Sequence, residues 1–470
     1  MAEPASPRVS LTELSSLLRD RQLSPVDVLE GCLARIEAHN RHLNAYITVF
    51  ADRALDDARA AEQALARGDV RGPLQGIPVS VKDVFAAAGG PTTWGVRKLV
   101  EYRPPGDAAV VGRLRAAGAI LIGKANVDTY PYDGGREGER LIGPTHNPWN
   151  LSRSAGRSSG GSGAAVAALL DYGSIGSDAA GSVRVPAAWC GVVGLKPTFG
   201  RVSRAGAFLY GDTFDHCGPI ARSVSDCAVL LRAVAGYDPE DPTSVKRPVP
   251  DYTAELSGSV RGLRIGVPRQ GLPARFVEPD VMRLFEDAVA TYARLGADVK
   301  DVVIPAQRDA RWVNVVNALE TAAMAERLLP PRHPPDPFAE YMLLRREVGR
   351  ERMIALGTRL SAMAQEAYAE LFETVDCILT PTVPTTAPLF TDERSPWQLP
   401  EENLQELVVR YTGIVNLLRY PAISVPCGFA GNGMPAGLHV IGRPFEEAVV
   451  LRAAHAYEQV TPWHRETPRM

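Results

Sequence analysis

The stretch from Ser154 to Arg184, SAGRSSGGSGAAVAALLDYGSIGSDAAGSVR, limits what this chain can fold into more than any other segment. A first Ser/Gly loop, Arg157 to Gly163, opens an Ala-rich helix expected over Ala164 to Leu170. A second small-residue loop runs from Gly176 to Ser182. Small residues let backbone N–H groups come close to a ligand. Two such loops around one short helix can bring two hydroxyls and several open N–H groups to one spot, the layout of covalent acyl chemistry. Ser/Gly runs more often serve as linkers or turns. Here the flanks are apolar, AAVAALL on one side and VRVPAAWCGVVGL on the other, which embeds the loops in a core.

The rest of the chain alternates strands and helices. Ser10-Leu-Thr-Glu13 is a capping box, and Ser24-Pro25-Val-Asp27 caps a second helix. Strands are expected at 44–50, 79–85, 119–123, 191–197, 262–268, 297–304, 377–380, 421–426 and 436–441. Helices are expected at 52–66, 107–118, 223–235, 280–295, 308–329, 337–375, 401–417 and 445–459, with a long loop over 128–147. This alternation predicts an α/β fold, with a large, mixed and mostly parallel sheet covered by helices on both faces. With 45% hydrophobic residues, a chain of 470 residues can bury a sizeable core.

Several function classes are set aside by what is missing. The net charge of −3, with no Lys/Arg run of five, predicts no nucleic-acid partner and no anionic membrane surface. No apolar run is long enough to span a membrane, and the first residues do not read as a secretory leader. The six cysteines show no CxxC and the eight histidines no HxxxH or HExxH, so neither a disulfide framework nor a metal site is expected, and no cofactor. A cytoplasmic protein is the simplest reading.

Three residues carry the candidate chemistry. In Gly76-Ile-Pro-Val-Ser-Val-Lys-Asp83, strand alternation puts Ser80 and Lys82 on one face. Burial lowers a lysine pKa, and a neutral amine is a usable base. Taken alone, Lys82 reads more simply as an edge-strand lysine in water, or as a partner of Asp83. Ser158 and Ser182, taken singly, read as turn or cap residues. A hydroxyl needs a base within hydrogen-bond reach to become a nucleophile. No His/Asp pair has the context of a histidine triad, and GxSxG is matched only formally at Gly156 to Gly160, with no apolar strand before it. A Ser–Lys arrangement remains, with Lys82 taking a proton from Ser182 through Ser158.

Lys82 in GIPVSVKD, Ser158 in GRSSGGSGAAVAA and Ser182 in GSDAAGSVRVPAAWCGVVGLKPT, in that order and spacing, resemble the amidase signature family and its Ser–cis-Ser–Lys triad. GKAN at 123–126, GPTHNPWN at 143–150, FDHCGPIARSVSDCA at 214–228 and PAISVPCG at 421–428 extend the resemblance from about Ser10 to His464. It implies one amidase domain over 1–470, with the signature core at about 70–235 and a helical substrate-pocket region at about 305–420. It implies an amide hydrolase in which Ser182 attacks, Ser158 and Lys82 relay the proton, and the N–H groups of Ala179, Ala180, Gly181 and Ser182 meet the oxyanion. Asp178, Arg184 and Ser177 would support the loop. Residues of the pocket region include Trp312, Asn314, Asn317, Tyr341, Tyr411 and Asn416.

There are departures. Ala180 stands where the family usually has the first of two glycines, which would add strain if φ is positive there. Arg157 replaces a glycine ahead of the cis-serine; beside the lysine it would favour the neutral amine, or it would hold an anionic substrate or point to solvent. The leading expectation is a stand-alone amidase acting on a small amide or ureide, with a homodimer expected from the family alone. The alternative is the glutaminase subunit of a tRNA-dependent amidotransferase. Such subunits normally have an acid ahead of the PAIS strand for the amino group of glutamine, and Leu407 to Thr412 has none. SRAGAF at 203–208 with DHCGPIARSV is similar to hydrolases of carboxybiuret-type ureides, some of which need a small partner subunit. A catalytically dead binding protein on this fold is disfavoured by the retention of all three residues.

Overall fold

The structure is a computed structural model that describes residues 8–128, 140–209, 211–272, 276–304, 349–390 and 408–470. The first helices begin where the sequence caps them. Ser10 Oγ accepts the Glu13 N–H at the head of α1 (Leu11–Arg19). Ser24 Oγ accepts the Val26 N–H at the head of α2 (Pro25–Leu43), where Pro25 needs no donor partner. Caps of this kind are worth about 1 kcal/mol each.

The chain continues through β1 (Tyr46–Val49), α3 (Ala51–Ala66), β2 (Pro78–Lys82), α4 (Ala109–Ala116) and β3 (Ile120–Ala125). A small hairpin of β4 (His146–Asn147) and β5 (Asn150–Ser154) leads to α5 (Gly160–Ala167), β6 (Ser174–Asp178), α6 (Arg184–Cys190), β7 (Val193–Lys196), β8 (His216–Ala221) and α7 (Val224–Val234). Then come β9 (Arg264–Val267), α8 (Pro279–Arg294), β10 (Asp298–Asp301), α9 (Arg350–Thr374) and β11 (Cys377–Pro381). The last elements are α10 (Gly413–Leu418), β12 (Ala422–Phe429), β13 (Pro435–Gly442) and α11 (Glu447–Gln459).

Among the described residues, eleven strands form one mixed sheet in the order β1-β3-β2-β6-β8-β7-β12-β13-β11-β9-β10. Parallel pairing lies in the two flanks, β3-β2-β6 and β11-β9-β10. The middle, from β6 to β11, is antiparallel and includes the tight hairpin β12–β13. β2, β6, β7, β8 and β11 are buried at every position, so both faces of the sheet are covered. One cluster of buried apolar side chains extends from Leu11 to Tyr457.

The Ser/Gly segment differs in detail from the expectation. α5 starts at Gly160, inside the first loop, and ends at Ala167. All eight of its residues are buried, as for a helix enclosed on every side. Their smallness serves close packing. A Cβ on Gly161 would lie 2.3 Å from the Asn126 nitrogen, and one on Gly163 would lie 3.0 Å from Pro186 Cβ, so α5 is wedged between the end of β3 and α6. The second loop is shorter than its composition suggests, because Ser174 to Asp178 forms β6 between β2 and β8. Gly and Ser have little strand preference of their own, and pairing on both sides overrides it. β8 and α6 also form where no element is expected from sequence. Of the long helices expected at 308–329 and 337–375, only α9 falls within the described residues; likewise 129–139 and 401–407 lie outside them.

Candidate active site

β2 and β6 are parallel neighbours, with Ser80 opposite Ser174 and Val81 opposite Ile175. They end in Lys82 and Asp178, so both residues stand at carboxyl ends of adjacent strands, where α/β sheets build their sites. On the side facing α5, Ser80 Oγ donates to Ser174 Oγ at 2.9 Å, and Ser174 Oγ donates to Ser162 Oγ at 2.8 Å.

Lys82 is wholly buried in the interior of the sheet, which excludes an edge-strand lysine in water. Its Nζ donates to Ser158 Oγ at 2.6 Å and to Ser177 Oγ at 2.8 Å. Asp83 pairs instead with Lys124 Nζ of β3 at 2.8 Å, and accepts the Thr93 N–H at 3.0 Å. Burial pushes the Lys82 amine down to about 8, against the upward pull of the Asp215 and Asp178 carboxylates and the Cys217 thiol. Two other lysines are equally buried. Lys124 has its carboxylate and Thr92 Oγ1, and Lys196 donates to the carbonyls of Tyr420 and Pro197. Lys82 is the one set between two hydroxyls.

The Arg157–Ser158 peptide is cis. The next residue ties the two small-residue loops together: the Ser159 N–H donates to the Ser182 carbonyl at 3.2 Å, and Ser159 Oγ donates to the Ser177 carbonyl at 3.1 Å. Ser182 is partly exposed whereas Ser158 and Lys82 are buried, and the Ser159 contact brings the Ser182 backbone next to the residue that follows Ser158.

The Ser182 loop is shaped by Asp178. Its Oδ1 accepts the Gly181 N–H at 2.7 Å and its Oδ2 the Val183 N–H at 3.2 Å. Arg184 grips the same carboxylate with Nε at 3.0 Å and Nη2 at 2.9 Å, both side chains fully buried. Burial alone would raise the Asp178 carboxyl, but Arg184, Lys196 and Asn416 together hold it well below the usual carboxylate range. The Gly181 N–H is therefore committed to Asp178, whereas among the described residues no protein acceptor takes the N–H of Ala180 or Ser182. Gly181 has φ +133°, a conformation suited to glycine; Ala180 has negative φ and carries no such strain.

The structure also supplies partners for this loop: Asn416, which the sequence placed only in the pocket region, and His439 and Thr412, which it did not single out. Asn416 Nδ2 donates to the Asp178 carbonyl at 2.8 Å and to its Oδ1 at 2.9 Å, while Asn416 Oδ1 accepts Arg184 Nη2 at 2.6 Å. His439 of β13 faces Arg184 Nη1 through Nε2 at 3.1 Å, and burial together with Arg184 keeps the imidazole neutral, its pKa well below the ordinary value. Thr412 Oγ1 donates to the Ala180 carbonyl at 2.6 Å. Trp312, Asn314, Asn317 and Tyr341 lie outside the described residues. Among the described residues, no group of three or more His, Cys, Asp or Glu is placed to hold a metal ion, and no helix is long and apolar enough to cross a membrane. All six cysteines are buried and none is in a disulfide.

A buried lysine between two hydroxyls, beside a small-residue loop at the carboxyl ends of an α/β sheet, is the setting of an enzyme site. The family model Amidase matches residues 27–451, and the chain belongs to the amidase signature family. It is an enzyme of that family, a hydrolase acting on C–N bonds. It is 42% identical over 485 residues to a glutamyl-tRNA(Gln) amidotransferase subunit from Geotalea daltonii, covering 97% of this chain and 98% of that one. Its fold matches a protein of a vestigial complex tied to the origins of an s-triazine catabolic enzyme, with TM-score 0.86 and 32% identity over 96% of this chain and 98% of the other. It matches a bacterial aryl acylamidase with TM-score 0.86 and 30% identity over 98% and 99% of the two chains.

The Geotalea relative corrects one expectation. Its name gives it a tRNA-linked substrate and makes it one member of an assembly, which overturns the expectation of no nucleic-acid partner. The net charge of one chain does not measure what an assembly binds, and that is where the charge argument failed.

Proposed function

We propose that the chain is the amide-cleaving subunit of an amidotransferase, releasing ammonia from the side-chain carboxamide of glutamine for transfer to a glutamyl-tRNA acceptor. The observation that carries the chemistry is Lys82 held by Ser158 and Ser177 next to the Ser182 loop. The relative from Geotalea daltonii, 42% identical across nearly the whole of both chains, supports the substrate.

In this reading Ser182 Oγ forms a bond to the amide carbon as its proton passes to Ser158 Oγ and that of Ser158 passes to Lys82 Nζ. The carbonyl oxygen takes up the negative charge against the N–H groups of Ala180 and Ser182, each such donor being worth about 3 kcal/mol in the transition state. The C–N bond then breaks, the relay returns the proton to the leaving nitrogen, and ammonia departs. Water attacks the acyl-Ser182 ester, gives its proton to the same relay, and releases the acid as Ser182 regains its proton.

The base must be neutral to accept a proton. With Lys82 lowered to about 8, kcat/KM should rise as pH increases, with a midpoint near 8, and level off above it. A profile measured from about pH 6 to about pH 10 that is flat, or that falls through this range, removes Lys82 from the role of base.

A second reading is favoured by the absence of any acid in Leu407 to Thr412, where glutaminase subunits normally bind the amino group of glutamine. In it the same chemistry acts on another small amide or ureide. Ammonia release should be measured with glutamine and with a panel of amides and ureides, by the chain alone and together with the other amidotransferase subunits and glutamyl-tRNA. Glutamine-dependent amidation of the tRNA is the expected result. Turnover of another amide with none of glutamine, even in the assembly, selects the second reading.

A further inference from the structure

We propose that Thr412 is a positioning residue that sets the oxyanion-binding peptides of the Ser182 loop from the far side of the fold. The inference rests on the serine-hydrolase reading and adds a residue that reading does not contain. Thr412 is fully buried directly ahead of α10, and its hydroxyl donates to the Ala180 carbonyl at 2.6 Å. The N–H of the same peptide belongs to Gly181 and donates to Asp178 Oδ1 at 2.7 Å. The Ala180–Gly181 peptide is thus fixed at both ends, oxygen by Thr412 and nitrogen by Asp178. With either end released, ψ of Ala180 and φ of Gly181 can change independently, and any change in one that the other does not compensate redirects the flanking N–H groups of Ala180 and Ser182 relative to each other.

Two further contacts make the arrangement specific to this threonine. A Cβ on Gly181 would lie 2.4 Å from Thr412 Oγ1, so the loop passes directly beneath the hydroxyl and glycine is needed there to let it. One helical turn along, Asn416 holds both the Asp178 carbonyl and its Oδ1. Residues four apart share a face of a helix. That face therefore grips the loop at two points, Asn416 through the carboxylate that orients Gly181 and Thr412 through the peptide itself. Removal of the hydroxyl leaves the Asp178 contact and frees the carbonyl end. Misplacement of a catalytic group by about 1 Å costs on the order of 100-fold.

The test is the rate of covalent labelling by a fluorophosphonate, which requires no knowledge of the natural substrate. Ser182 Oγ forms a bond to phosphorus, the P–F bond breaks, fluoride leaves, and the serine proton passes to the relay; the phosphoryl oxygen occupies the oxyanion position. Thr412→Val keeps the shape and removes the donor. Its kinact should fall by roughly 10- to 100-fold with KI little changed, and Thr412→Ser should return kinact to within about threefold. Wild-type kinact in Thr412→Val overturns the inference. Equal losses in the Val and Ser variants overturn it too, since packing would then be the cause, as does a loss that falls entirely in KI. Labelling of Ser182→Ala at the wild-type rate overturns both this inference and the reading beneath it, whereas labelling that depends on Ser182 but ignores Thr412 overturns this one alone.

Discussion

Ser182→Ala removes amide turnover while leaving the protein folded. The expected fall in kcat is about 10⁴- to 10⁶-fold, the size seen when a serine nucleophile is deleted from a working relay. Ser182 is partly exposed, and losing one hydroxyl there should change stability by no more than about 1 kcal/mol, so a melting curve close to wild type accompanies the loss. Mass spectrometry after treatment with a fluorophosphonate gives an independent view: the wild type gains one adduct on the peptide carrying Ser182, and the variant gains none. A variant that still takes the adduct on this loop would show that another side chain is the nucleophile.

Lys82→Ala should lower kcat by about 10³- to 10⁴-fold, because the proton of Ser182 then has no acceptor at the end of the relay. The substitution also opens a space in the sheet, so Lys82→Met is the better companion. Methionine fills most of the lysine volume and removes the need to bury an amine, which makes it close to neutral for stability, within about 2 kcal/mol. Ser158 and Ser177 lose their shared donor in both variants. Stopped or quenched assays of ammonia release, beside denaturant unfolding, separate the two effects. Turnover near wild type in the methionine variant would exclude Lys82 as the base.

Lys82, Ser158 and Ser182 were singled out by resemblance to the amidase signature, because taken one at a time they read more simply as an edge-strand lysine and two turn or cap serines. The doubt over Ala180 had a definite answer that only the backbone gives: the strained conformation falls one residue later, at Gly181, where glycine is present. The elements around them were harder to see. Ser174 to Asp178 has the composition of a turn, yet forms a strand because β2 and β8 pair with it on both sides. Asp83 beside Lys82 invited an ion pair, but strand geometry turns it toward Lys124. Thr412, Asn416 and His439 bear on the site across more than two hundred residues of chain; no local pattern marks Thr412 or His439, and the sequence named Asn416 for the pocket region without its hold on Asp178.

That separation follows from where the C-terminal hairpin sits. β12 and β13 fill the middle of the sheet, between β7 and β11, and α10 arrives with them to hold the loop of Ser182. During synthesis Lys82, Ser158 and Ser182 therefore leave the ribosome long before the elements that pack around them. Long-range closure of this kind is slow, so the surroundings of the Ser182 loop are completed last, when α10 and the β12–β13 hairpin enter the sheet.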